Sequence, residues 1–223
     1  MEPKRKFWND QQKKLRSDLA KPDTFSQAIE AFYQQHAMVH ATLMAQSEFH
    51  SFADEVVADM TEAAIRRIPK KGEHSVAWVI FHIARIEDVV MNMLVAETSP
   101  LFEANDWQTR MKSPIHHTAN SMTYEEVVNL SKSLDLDSLF AYRNAVGQRT
   151  REIVGQLQPT DLKRKPDSSQ LQQLLDQGMV LEDARGIVEY WSRRNMAGLL
   201  LMPPTRHNFL HLNEALRIKN RVK

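Results

Sequence analysis

His207 and His211 stand four residues apart in Pro203-Pro204-Thr205-Arg206-His207-Asn208-Phe209-Leu210-His211-Leu212-Asn213-Glu214, a stretch that opens a helix. At 3.6 residues per turn their side chains lie about 40° apart on one face, so both rings can converge on a single cation. A catalytic site for zinc or a similar ion commonly takes three protein ligands and leaves one position open for water or substrate. His82 is the candidate third ligand. It sits among Trp78, Val79, Ile86 and Val89, where a polar ring is expected to be buried and must find a partner. Metal coordination would satisfy all three rings together. Glu214 continues the His207/His211 stripe at i+7 and is the candidate for orienting a ligand or accepting a proton, the alternative being a plain surface carboxylate.

His36 and His40 form a second i, i+4 pair and are the main rival. They could supply ligands, join a two-metal site or line a cavity above the other three. The polar neighbours Gln34, Gln35 and Gln46 favour cavity or surface positions over ligation. His50, His74, His116 and His117 lie at a helix start or in connections and are expected to be exposed. Trp78 and Trp107 are candidate cavity walls, with core packing the plainer expectation for Trp78. The chain has no cysteine, so a metal would be held by nitrogen and oxygen, and thiol chemistry would need an external thiol.

These residues must be positioned by helices. From Thr24, a plausible N-cap, Phe25, Ile29, Phe32, Tyr33, His36, Val39, His40 and Leu43 recur at helical spacing. Residues 54–68 read as a second helical piece ended by Pro69-Lys70-Lys71-Gly72. Residues 75–96 are apolar on nearly every face, as expected of a helix at the centre of a bundle. A long polar connection covers 98–122. Thr123-Tyr124-Glu125-Glu126 then starts a helix whose pattern continues to Leu157. Residues 160–183 read as short helices and turns. Residues 187–201 are helical, and Pro204 suits the first turn of the last helix, which runs to about Lys219. No segment has a convincing strand period. The expected fold is all-α, a four-helix bundle with additional short helices.

The 223 residues carry 42% hydrophobic and 26% charged side chains and a net charge of +1, with no global field to draw nucleic acid or an anionic membrane. Residues 1–22 form a basic arm (Lys4, Arg5, Lys6, Lys13, Lys14, Arg16) expected to be solvated or loosely docked, and residues 23–223 a single helical domain. Only six glycines are present and none makes a phosphate loop, which disfavours dinucleotide and P-loop folds. No apolar run approaches the roughly 18 residues of a membrane span, and Met1 to Lys6 is not followed by the apolar core of a signal peptide. A cytoplasmic location is expected.

Three pieces of the sequence resemble the DinB-like, or YfiT-like, superfamily of metal-binding four-helix proteins. Ser75 to Asp88 looks like the family's second-helix motif with its ligand histidine. Arg206 to Glu214 looks like the C-terminal motif with paired histidines, and Asn120 to Val127 followed by Tyr142 to Leu157 is similar to the third-helix region. The resemblance spans roughly residues 24–219. It implies an up-down-down-up bundle, a three-histidine site of His82, His207 and His211 holding zinc, nickel or a related divalent ion, and frequent dimers. Members with assigned activities include thiol-dependent transferases and isomerases. The polar insertion between Leu157 and Asp183 and the basic N-terminus depart from the shortest members.

The leading expectation is therefore a metal-dependent enzyme, a thiol-dependent transferase or metal-assisted hydrolase acting on a small molecule, with a low-molecular-weight thiol as a candidate co-substrate. A non-catalytic metal or small-molecule binding protein is the alternative. A third reading is a helical scaffold whose histidines only form hydrogen bonds. No nucleic-acid docking motif is present.

Overall fold

The computed structural model describes residues 2–222, so Met1 of the basic arm and Lys223 lie outside the described residues. The described residues are helical, with no strand among them. The centre is the helix Val76–Val89, continued by a π-helical segment Val90–Ala96. Ser75 starts it by accepting the Trp78 N–H at 3.0 Å through its hydroxyl. Every residue from Val76 to Val95 is buried, as the apolar pattern on all faces requires. The segment stops at Glu97, which turns into the left-handed region (φ 59°).

Around this helix pack Leu136–Gln156, Asn208–Val222 and the shorter Glu62–Arg66 and Tyr124–Ser133, while Pro3–Leu19 lies along Phe25–Val39. Two large apolar cores result, beside a small cluster of Ala37, Met44 and Ala45. One large core gathers Val76, Phe81, Phe102, Tyr142 and Leu212, the other Phe32, Val89, Leu94, Ile153 and Trp191. Between these two the central helix presents Arg85, Glu87 and Asp88, all fully buried.

Four expected helices are shorter than their apolar patterns suggest, and polar groups at the breaks explain three of the four. The first ends at Val39, because His40 becomes extended (φ −117°, ψ 167°), with the Ser51 hydroxyl donating to its carbonyl at 2.6 Å. The 123–157 pattern divides into Tyr124–Ser133 and Leu136–Gln156, since Asp135 accepts the Ser138 N–H and starts a new helix. The 187–201 pattern divides into Arg185–Ser192 and Met196–Leu200, with Asn195 capping the second. Residues 54–68 hold Phe52–Val57 and Glu62–Arg66, separated by a turn with Asp59 at φ 58°. The final helix extends to Val222.

The N-terminal arm is a correction. Residues Pro3–Leu19 are a docked helix with Trp8, Gln12, Leu15 and Leu19 buried. Trp8 stacks on Phe209 at 3.8 Å between ring centres, and Gln12 donates to the Leu201 carbonyl at 2.9 Å. Aromatic stacking and apolar burial outweigh the solubility of the basic face. No helix among the described residues is long and apolar enough to cross a membrane.

Candidate metal centre

His82 leaves the central helix toward the last one, where Met202–His207 form a π-helical turn leading directly into Asn208–Val222. The structure brings His82, His207 and His211 together. One nitrogen from each ring lies within 4.8 Å of the others, and the His82 and His207 Nε2 atoms are 3.2 Å apart. Two ligands on a tetrahedral ion with bonds of 2.0–2.1 Å would be separated by about 3.3 Å. His82 is buried, and the other two are half-buried.

The far nitrogens of two rings are fixed. His82 Nδ1–H donates to the Thr118 carbonyl at 2.7 Å, which leaves its Nε2 lone pair facing the cluster. His211 Nδ1–H donates to Glu214 at 2.8 Å with the same consequence. The other Glu214 oxygen accepts from His74 Nδ1 at 2.8 Å. His74 in turn stacks on Trp78 at 3.5 Å, and Trp78 stacks on His82 at 4.8 Å. His207 Nδ1 is buried without a partner among the described residues.

Electrostatics keep the cluster available for a cation. Burial, reinforced by the neighbouring His211 ring, pushes His82 down to about 3. Burial and the adjacent His82 and His211 rings hold His207 well below its usual value. Burial alone would raise the Glu214 carboxyl, yet its hydrogen bonds from His211 and His74 hold it far below the usual range. Neutral His82 and His207 rings and an ionised Glu214 are protonation states that suit ligation.

The 98–122 connection supplies the Thr118 carbonyl, and the central helix ties it down. Asp88 accepts the backbone N–H groups of Leu101 and Phe102 at 2.9 and 3.0 Å, and Arg85 donates to the His116 carbonyl. His82, Arg85 and Asp88, spaced three apart, thus carry a candidate ligand and the two clamps that set its backbone partner.

A second group with metal-holding geometry is His36, His40 and Glu87, all fully buried. The surface alternative for His36 and His40 is overturned, because both rings turn inward to a carboxylate. Glu87 accepts from His36 Nε2 at 2.9 Å, His40 Nε2 at 3.0 Å, Arg143 at 2.8 Å, Thr150 at 2.8 Å and Asn208 at 2.7 Å. Burial opposes ionisation of Glu87, but the surrounding His40, Arg143 and His36 hold its carboxyl well below the usual range. The Nδ1 atoms of both rings are buried without partners among the described residues, whereas a ligating imidazole ordinarily donates its second N–H.

Sequence reasoning missed Glu87, Thr118 and the Glu214 bond to His74. Glu87 gave a signal, as an acidic residue inside an apolar helix that had to be paired. Thr118 gave none, because its carbonyl does the work. His117 is buried rather than exposed, since its Nδ1 accepts the Ala119 N–H at 3.1 Å, and His74 is only half-buried for the reasons above. Trp78 abuts the site. Trp107 does not, packing instead on Tyr142 and Arg110.

Comparison with known proteins agrees with this architecture. No curated protein matches the chain. A solved structure described as a conserved protein from Enterococcus faecalis is similar over 90% of this chain and 95% of its own, with a TM-score of 0.57 and 16% identity, a likeness of fold alone. The family model of the DinB superfamily matches residues 48–182, which include His82 and Glu87 and stop short of His207. That match covers more than half of the sequence, and the chain belongs to the DinB superfamily.

Proposed function

We propose that the protein is a metal-dependent enzyme in which His82, His207 and His211 hold one divalent ion. The observation that carries this reading is the pairing of converging ring nitrogens with fixed far nitrogens, on Thr118 for His82 and on Glu214 for His211. The His36/His40/Glu87 group lacks that support, and the Arg143 guanidinium on Glu87 would oppose a second cation. The four long helices 25–39, 76–89, 136–156 and 208–222 are read as the bundle that frames the site.

When bound, the ion would supply Lewis acidity, easing loss of a proton from water or a thiol near neutral pH. The protein's own part is orientation. Glu214 and Thr118 aim the His211 and His82 rings, and Trp78 walls one side and excludes water. Glu214 acts through His211 and His74 as a positioning residue, since both its oxygens are engaged. Transfer of a small thiol to an electrophile, or metal-assisted hydrolysis, is the chemistry proposed, with zinc or nickel as the ion and a small molecule as substrate.

Elemental analysis of untagged protein after metal loading is expected to give about one equivalent in the wild type and to fall several-fold in His207→Ala. Glu214→Gln is expected to keep the fold and weaken metal affinity about 10- to 100-fold in a chelator competition. Less than about a tenth of an equivalent in reloaded wild type rejects the metal site and leaves a hydrogen-bonded scaffold. Equal turnover of a thiol and electrophile panel by wild type and His207→Ala rejects catalysis at this centre.

A further inference from the structure

Beside the three imidazoles lies a cleft of about 260 Å³ for which His207 forms one wall. Its other walls are Ile86, one turn beyond His82 on the central helix, and Ile187, Tyr190, Trp191 and Met202. Asn120 supplies a neutral amide, and no acidic, lysine or arginine side chain among the described residues lines the space. Asn120 is positioned by the loop that orients His82: the Thr118 hydroxyl donates to its Oδ1 at 2.9 Å, while the Thr118 carbonyl holds the His82 ring. The far end of the Asn120 amide has no hydrogen-bond partner among the described residues.

An apolar cavity of about 150 Å³ accommodates a benzene molecule. The cleft therefore has room for one aromatic ring or a short branched alkyl group with a polar atom attached. A carboxylate or ammonium placed there would lose its hydration and meet no counter-ion. We propose that this cleft binds the uncharged, apolar portion of the substrate, with Asn120 hydrogen-bonding a neutral oxygen on it beside His207. Its use as a substrate subsite rests on the metal reading above, whereas binding of the ring itself does not.

Gly186 offers a gentle test, because a Cβ added there meets nothing within 4 Å. Leucine at this position adds a bulky side chain to the cleft lining and also suits the helix Arg185–Ser192 better than glycine does. Benzyl alcohol and benzoate are titrated into metal-stripped protein and followed through isoleucine and methionine methyl resonances. Benzyl alcohol is expected to bind saturably, shifting Ile86, Ile187 and Met202, with benzoate about tenfold weaker or more. Gly186→Leu and Ile187→Lys are each expected to weaken benzyl alcohol by about tenfold or more, with zinc uptake equal to wild type. Absence of saturable binding, binding as tight in both variants as in wild type, or benzoate binding as tightly as the alcohol overturns the proposal. Seating of benzyl alcohol in wild-type protein that takes up neither zinc nor nickel upholds the cleft and rejects the metal reading.

Discussion

His40 shows how burial sets protonation in this molecule. Its ring is fully buried, and burial together with the nearby Arg143 guanidinium pushes it down to about 3, so it stays neutral while donating Nε2–H to Glu87. In the unfolded chain a histidine titrates near 6.5. Between those two values the unfolded state binds a proton that the folded state does not, so stability is complete above about pH 6.5 and declines as pH falls toward 3. His40 contributes about 1.4 kcal/mol per pH unit to that slope once the unfolded ring is mostly protonated. His40→Gln retains an amide donor for Glu87 and removes the titration. Urea unfolding of metal-stripped protein at steps between pH 6 and 5 is expected to show a slope shallower by about that amount in the variant. An unchanged slope would mean that His40 is charged in the fold.

The helix Leu136–Gln156 carries a glycine at 147 where propensity would favour alanine, and the reason lies across the helix interface. A Cβ at Gly147 would sit 2.6 Å from His40 Nδ1, 2.7 Å from its Cε1 and 2.7 Å from the Met44 methyl. The His40 ring is held by Glu87 and cannot retreat. Gly147→Ala is therefore expected to destabilise by about 1–3 kcal/mol, reversing the gain of roughly 1 kcal/mol that helix propensity alone would give. Thermal or urea unfolding checks the sign, and a stabilised Gly147→Ala would show that the ring is free to move. At this scale the sequence was partly legible. The apolar faces of residues 76–95 located the central helix and His82, and the Thr123 and Glu126 pair located a helix start that the structure closes as a capping box. Helix breaks at 40, 135 and 195 were not read, because each depends on a polar side chain or tertiary hydrogen bond that outweighs a continuing apolar pattern. The π-helical turn before His207 was also hidden, since Pro203 and Pro204 signal a helix start without fixing its width.

At the scale of the whole molecule, the N-terminal helix ties both large apolar cores to the segment that leads into the His207/His211 pair. Trp8 enters one core and Leu15 and Leu19 the other, while Gln12 holds the Leu201 carbonyl just before the turn that ends at His207. The charge pattern concealed this, although Trp8, Leu15 and Leu19 stand at i, i+7 and i+11, a helical stripe that basic neighbours did not erase. Gln35 adds a hydrogen bond to the Trp8 carbonyl at 3.2 Å, so the docked helix satisfies polar groups of the body as well as its apolar surface. If residues 3–19 belong to the cooperative unit, Trp8→Ala should remove stacking on Phe209 and leave a cavity, at a cost of about 3–5 kcal/mol, and the protein should still unfold in one transition. The tryptophan signal, which loses Trp8, and far-ultraviolet circular dichroism would then coincide along the urea axis. An early separate loss of helical signal in the wild type, with the remainder unfolding at an unchanged midpoint in Trp8→Ala, would instead mark residues 3–19 as an independently docked arm and remove the link between that helix and the geometry at His207.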